Sequence, residues 1–342
     1  MNRRGDAVVR LMARGLLVGF AIGLICFALP APAAPPTAPL VIEELARHYG
    51  LKGTRINGHR TLRLQSQWTT LEFTAGSREA SWNGIRLFLG EPVQAKGRSL
   101  QLARSDWLAT VRPLLDPKAG PAPGRLGLIV LDPGHGGNDP GTENRAFKYQ
   151  EKTFTLDVAQ RLQRDLERRG YRVALTRTSD VRLKRTQAAD LRERAERANR
   201  QRADLFVSIH FNALSNQPKV HGVETYTLTP AGQRSTAAPR RTIGDSKVQP
   251  GNRHDHWNTV LAGALHRSLL DRLGAADRGL KRARWGVLRP VNCPAVLVEA
   301  GFLSNRAEAA KIGTAAYRQQ IAEALGEGIG AYHALLREAA KN

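Results

Sequence analysis

Residues 126–141 read Leu-Gly-Leu-Ile-Val-Leu-Asp-Pro-Gly-His-Gly-Gly-Asn-Asp-Pro-Gly. The apolar run through Leu131 has the length of a buried parallel strand, and Asp132-Pro133-Gly134 ends it. Glycines on either side of His135 let the backbone turn sharply, so the histidine is displayed on a loop just past the strand end. In open α/β sheets, sites gather at that edge, outside the carboxyl ends of the strands. One histidine after a turn is equally compatible with an incidental surface position. The rest of the chain decides.

Downstream, strands and helices alternate. Phe154, Val158, Leu162 and Leu166 recur every four residues, and Gly170 stands where a helix should end. Strands are expected at 171–176, 205–209, 223–228 and 295–298, with helices at 186–199, 257–273 and 316–337. The alternation predicts an α/β domain over 126–337, a mainly parallel twisted sheet with helices on both faces. The polar stretch 230–252 reads as a surface loop. Upstream, 41–116 reads as a small α+β module. It has a helix at 42–49, strands at 61–65, 70–74, 80–82 and 85–89, an Asn83-Gly84 hairpin turn, and a closing helix at 105–115 with Ser105 as N-cap. Residues 117–125, rich in Pro and Gly, form the linker between the two.

The first 33 residues have the form of an export signal. Arg3, Arg4, Arg10 and Arg14 precede an apolar run from Leu16 to Leu29, and Ala31-Pro32-Ala33 offers a small-residue cleavage site. A Pro/Ala-rich linker, 34–40, follows. The run is short for a membrane span, so delivery to the periplasm, or otherwise to the cell envelope, is expected. Cleavage would remove Cys26 and leave Cys293 alone, which excludes an intramolecular disulfide. The chain carries 52 Lys+Arg against 30 Asp+Glu, a formal net charge of +22, and losing four arginines and Asp6 leaves about +19. Such a surplus suits polyanionic partners, which for an exported protein are envelope polymers and membrane surfaces. Nucleic acid is not expected, since no motif for it is present.

Two later stretches repeat the plan of the first. Leu205–Ile209 is an apolar strand ending in His210, and Ala295–Val298 is another ending in Glu299. A parallel sheet would bring His135, His210 and Glu299 to one edge, and Glu151, which opens the helix after the His135 loop, can turn toward it. Two imidazoles and a carboxylate with an open fourth position make a typical catalytic zinc site, and a second carboxylate can then handle protons. Glu143, in the loop, and Glu224, read as an outward-facing strand residue, are rival carboxylates. His254-Asp255-His256 are adjacent on a loop, a poor geometry for sharing one ion. Cys293, before Pro294, reads as buried packing. Arg177 reads as structural and Arg289 as a contact for a substrate carboxylate.

Asp132-Pro133-Gly134-His135-Gly136-Gly137, Glu151-Lys152, Ser208-Ile209-His210-Phe211-Asn212-Ala213 and Val298-Glu299-Ala300-Gly301-Phe302-Leu303-Ser304-Asn305 together resemble the zinc-dependent N-acetylmuramoyl-L-alanine amidases of type 3. These enzymes cleave bacterial cell-wall peptidoglycan. The resemblance covers about 126–332 and implies that His135, Glu151 and His210 bind Zn2+ while Glu299 is the catalytic carboxylate. It implies hydrolysis of the amide between N-acetylmuramic acid and L-alanine of the stem peptide. Zinc on three protein ligands lowers the pKa of its bound water to about 7. Glu299 would take a proton from that water and hand it to the departing amine. Phe211 stands where a small residue is common, and 230–252 has no clear counterpart.

The 41–116 module is similar to the small domain first known from copper amine oxidases and found attached to wall hydrolases. Asn57-Gly58, Gly76-Ser77-Arg78-Glu79 and Asp106 carry the likeness, which implies a wall-binding unit or a spacer. A monomer acting on peptidoglycan is expected, with the need for a protein activator left open. The competing class is a non-catalytic peptidoglycan-binding or activator protein on the same scaffold. Such a protein should have lost ligands, whereas this chain keeps all four residues. A glycosidase would pair two carboxylates and have no use for two histidines at strand ends.

Overall fold

The computed structural model describes residues 38–121, 124–214 and 216–341. The expected leader and residues 34–37 of the linker lie outside them. Residues 37–342 cluster into one compact unit. Six strands build its α/β part: β1 (Leu128–Pro133), β2 (Arg172–Leu175), β3 (Leu205–Asn212), β4 (Val223–Leu228), β5 (Asp277–Ala283) and β6 (Ala295–Phe302). Their order is β2-β1-β3-β6-β4-β5, and every neighbouring pair is parallel except β6 with β4.

Helices α1 (Glu151–Arg168), α2 (Gln187–Arg200), α3 (Asp255–Leu273), α4 (Arg306–Ile312) and α5 (Ala315–Ala339) cover the sheet. Successive strand residues point to opposite faces, and here they feed two apolar layers. Ile129, Leu131, Val207, Ile209, Val296 and Val298 pack with Phe154, Val158 and Leu162 of α1 and with Leu261 and Leu265 of α3. Val130, Phe206, Ala295 and Leu297 face the other way, onto Ala195 and Ala198 of α2 and onto Val287 and Leu288. The sheet is therefore mainly parallel and covered on both sides, as the alternation implied.

Upstream, Lys52–Ile56, Thr61–Gln65, Thr70–Thr74, Glu79–Trp82 and Ile85–Phe88 form an antiparallel meander. Ile85–Phe88 runs parallel to β5 with Leu87 opposite Leu280, so one eleven-stranded sheet passes through both parts of the molecule. Arg282 of β5, only 4% exposed, spans that junction. It donates to the Ala109 carbonyl at 2.6 Å, to Thr110 Oγ1 at 3.1 Å, to Thr259 Oγ1 at 2.9 Å and to Thr227 Oγ1.

Several sequence expectations are corrected. β3 and β6 do not stop before His210 and Glu299, because parallel pairing continues through His210↔Glu299 and shifts register only between His210 and Asn212. Both residues are thus strand residues, side by side. Ser105 caps nothing: its helix starts at Arg104 after Ala103, with no side-chain cap. The neighbouring Asp106 carboxylate instead accepts from Gly90 N at 2.6 Å and Glu91 N at 3.0 Å. The 230–252 stretch is a largely exposed loop, as expected, with a 3-10 turn at Ile243–Ser246, and arginines tie it down. Arg284 donates to the carbonyls of Gln233 and Asp245, Arg78 to those of Ser235 and Thr236, and Arg234 to that of Gly90. No helix among the described residues is long and apolar enough to cross a membrane.

Candidate active site

The His135 loop is held from below by buried charge. Asp132, 1% exposed at the end of β1, accepts from Thr176 Oγ1 at 2.5 Å, Ser208 Oγ at 2.7 Å and Arg194 Nη1 at 3.0 Å. Burial alone would raise its proton affinity, but Arg194 and the two hydroxyls hold the carboxyl below its ordinary value. Arg194 reaches on from α2 to the carbonyls of Pro133 (2.7 Å) and His135 (2.6 Å), and Arg177 donates to those of Pro133 (3.0 Å) and Gly134 (2.9 Å). These anchors secure a strained backbone, since His135 adopts φ +63°.

On that support three side chains converge. His135 Nε2 lies 3.2 Å from Glu151 Oε2, and His210 Nδ1 lies 2.9 Å from Glu151 Oε1. Backbone amides fix the carboxylate, Phe211 N donating to Oε1 at 3.0 Å and Thr142 N to Oε2 at 2.8 Å. Burial would raise the Glu151 carboxyl, yet the two imidazoles hold it far below the usual range. The donor atoms of His135, Glu151 and His210 all lie within 4.8 Å of one another, against about 3.4 Å between ligands of an ideal tetrahedral zinc. Asp139 Oδ2 comes to 3.0 Å from His135 Nδ1 but outside hydrogen-bonding direction, so that buried nitrogen has no hydrogen-bond partner. Two imidazoles and an anionic carboxylate brought this close together are a donor set that suits a divalent cation such as Zn2+.

The close approach depends on glycine. A Cβ on Gly141, at φ +67°, would stand 2.5 Å from Glu151 Oε2 and 2.6 Å from His135 Cδ2. Gly141→Ala is therefore expected to weaken zinc binding at least tenfold while leaving the far-ultraviolet circular dichroism unchanged. Competition with a chromogenic chelator reads this directly, and an unaltered zinc affinity would refute it.

Glu299 lines the same cavity, of about 460 Å3, as His135, Glu151 and His210. Its Oε2 is buried without a hydrogen-bond partner. Burial, then the carboxylates of Glu151 and Glu224, push its proton affinity well above the ordinary value against the pull of Lys281. Glu224 corrects the sequence reading. It is buried, pairs in register with Glu299, and accepts from Arg278 (2.8 Å), Lys281 (2.5 Å), Tyr226 (2.7 Å) and Asn212 (3.0 Å). Arg278 and Lys281 of β5, with Asn212 and Tyr226, surround it on its side of the sheet, so it does not face outward.

The other candidates lie apart from this cluster. His256 Nε2 meets the Pro117 carbonyl at 2.7 Å, and His135, Glu151 and His210 form the one group of potential metal ligands among the described residues. Arg289 is exposed and donates to the Arg284 carbonyl; Trp285, Gly286 and Val287 of the same stretch line the cavity, and Arg289 is not among the lining residues. Cys293 is buried and unpaired, and its thiol is pushed up by burial. Phe211 is buried edge-on against Phe154, beside the cavity that it helps to line. The sequence reading did not single out Arg194, Asp139 or Trp285, although Arg194 stands one helical turn from Asp190, its ion-pair partner at 2.7 Å.

A family model described as N-acetylmuramoyl-L-alanine amidase matches residues 129–331. The N-acetylmuramoyl-L-alanine amidase AmiC of Escherichia coli O6:H1 is 35% identical over 244 residues, covering 64% of this chain and 56% of that protein. The corresponding AmiA of Escherichia coli K12 is 31% identical over 259 residues, 69% of this chain and 86% of that protein. The match to AmiC thus spans little more than half of its length. The catalytic domain of CwlV, an amidase from Bacillus (Paenibacillus) polymyxa var. colistinus, shares 28% identity over 60% of this chain and 97% of that chain, with a TM-score of 0.49.

Proposed function

The chain belongs to the N-acetylmuramoyl-L-alanine amidase family, and on that premise we propose that it is an exported zinc hydrolase cleaving the amide between N-acetylmuramic acid and L-alanine in peptidoglycan. One observation carries the reading: His135, Glu151 and His210 converge within 4.8 Å, and Glu299 stands in the same cavity. His135, Glu151 and His210 would hold Zn2+, which when bound acidifies a water and polarises the scissile carbonyl. Glu299 takes a proton from the water as its oxygen bonds to the lactyl carbonyl carbon. It returns that proton to the L-alanine nitrogen as the carbon–nitrogen bond breaks.

The anchored loop contributes fixed geometry: Arg177 and Arg194 hold the backbone on either side of His135 before substrate arrives. The basic leader over 1–33 supports delivery to the cell envelope, and the cationic surplus of the remainder complements anionic wall polymers. Digestion of purified peptidoglycan tests the proposal. Stem peptides beginning with L-alanine should appear by mass analysis, vanish with a chelator and return with zinc. Cleavage of the glycan instead would sink it.

A further inference from the structure

Trp285 is 43% exposed, and it lines the cavity that holds Glu299. It is not a loose surface residue. Its ring lies edge-on to Tyr226, with centroids 5.8 Å apart at 77°, and the Tyr226 hydroxyl donates to Glu224 at 2.7 Å. Glu224 is itself locked by Arg278, Lys281 and Asn212. The backbone is fixed too. The Trp285 carbonyl accepts from Leu288 N at 3.1 Å, and the next residue, Gly286, sits so close to α2 that a Cβ there would come within 2.9 Å of Leu191 Cδ1. A rigid indole left partly uncovered inside a catalytic cavity is a preorganised contact surface.

We infer that Trp285 is the platform on which the N-acetylmuramic acid ring of the substrate stacks, and that Tyr226 positions it. This rests on the proposed amidase reading. The aromatic face carries the negative side of the ring quadrupole, which complements the C–H face of a pyranose, while the sugar hydroxyls stay free for water and polar side chains. The spacing agrees. Tyr226 is opposite Leu297, whereas Glu224 is opposite Glu299. Two strand residues advance about 7 Å. Tyr226, against which the indole packs, is thus set off along the sheet from the register position of the proton-transferring carboxylate.

The test is calorimetric titration of the zinc-loaded protein with two halves of the substrate: the peptide-free disaccharide of N-acetylglucosamine and N-acetylmuramic acid, and the sugar-free stem peptide. Trp285→Ala should weaken disaccharide binding at least tenfold and leave the stem-peptide Kd within twofold. Trp285→Phe should recover most of the disaccharide affinity. Equal disaccharide binding by wild type and Trp285→Ala overturns the inference, as does no measurable disaccharide binding to wild type. A loss confined to the stem peptide also overturns it and assigns the indole to the peptide side. Digestion by the wild type reports separately on the amidase reading: wild-type cleavage alongside unchanged Trp285→Ala binding would leave that reading standing and remove only this one.

Discussion

Glu299→Gln should lower turnover on peptidoglycan by about a thousandfold while the protein keeps its full complement of zinc, because general acid–base catalysis contributes roughly 10²–10⁴ in rate. The variant is a fair isostere. Glutamine matches glutamate in size and shape and offers a neutral amide that cannot take the proton. Folding should therefore be undisturbed. Metal analysis and turnover on the same preparation give the answer together. If zinc disappears with the activity, Glu299 is a ligand and the division of roles among the four residues is wrong.

Arg194→Leu is expected to cost about 3–5 kcal/mol of stability in urea unfolding, the range for stranding one partner of a buried ion pair. Arg194 and Asp132 are 2% and 1% exposed at their side chains and 3.0 Å apart. Without the guanidinium, Asp132 keeps only hydroxyl donors, and the His135 carbonyl loses its 2.6 Å partner. Zinc affinity should fall as well. Combining Arg194→Leu with Asp132→Asn should recover part of the stability, since the main penalty is the orphaned charge. The pH dependence has a definite sign. The folded Asp132 carboxyl lies below its ordinary value, so its contribution is present above the usual carboxylate range and fades as pH falls through the folded value. The gap between wild type and Arg194→Leu should narrow in acid. A cost under about 1 kcal/mol at neutral pH would rule out this account of the pair.

The parts legible in the sequence were those written locally. The apolar run before His135 announced a parallel strand, and the four-residue spacing from Phe154 to Leu166 announced α1. His135, Glu151, His210 and Glu299 could be named because each sits at a break in such a pattern. What escaped was decided by distant partners. Arg194 is 59 residues from the carbonyl it holds, and nothing in an arginine-rich helix marks one arginine as buried. Glu224 looked outward because alternation along β4 gives two faces but not which element covers them, and Arg278 and Lys281 on β5 settle that. β5 itself, Asp277–Ala283, is rich in charge and gave no strand signal. The ends of β3 and β6 were misjudged for a related reason. A titratable side chain interrupts an apolar pattern, while the backbone ladder it belongs to continues.

The junction at Leu87 and Leu280 bears on solubility. A sheet closes its hydrogen-bonding margin wherever another strand lies alongside, and an open margin is a template for pairing between chains. The upstream meander covers the flank of β5, so that among the described residues the end strands of this sheet are Arg172–Leu175 and Lys52–Ile56. Both are short, and each carries cationic side chains. Whatever else the upstream module does, it moves the vulnerable boundary of the sheet away from the strands that carry the chemistry, onto strands whose charge discourages a second molecule from adding itself.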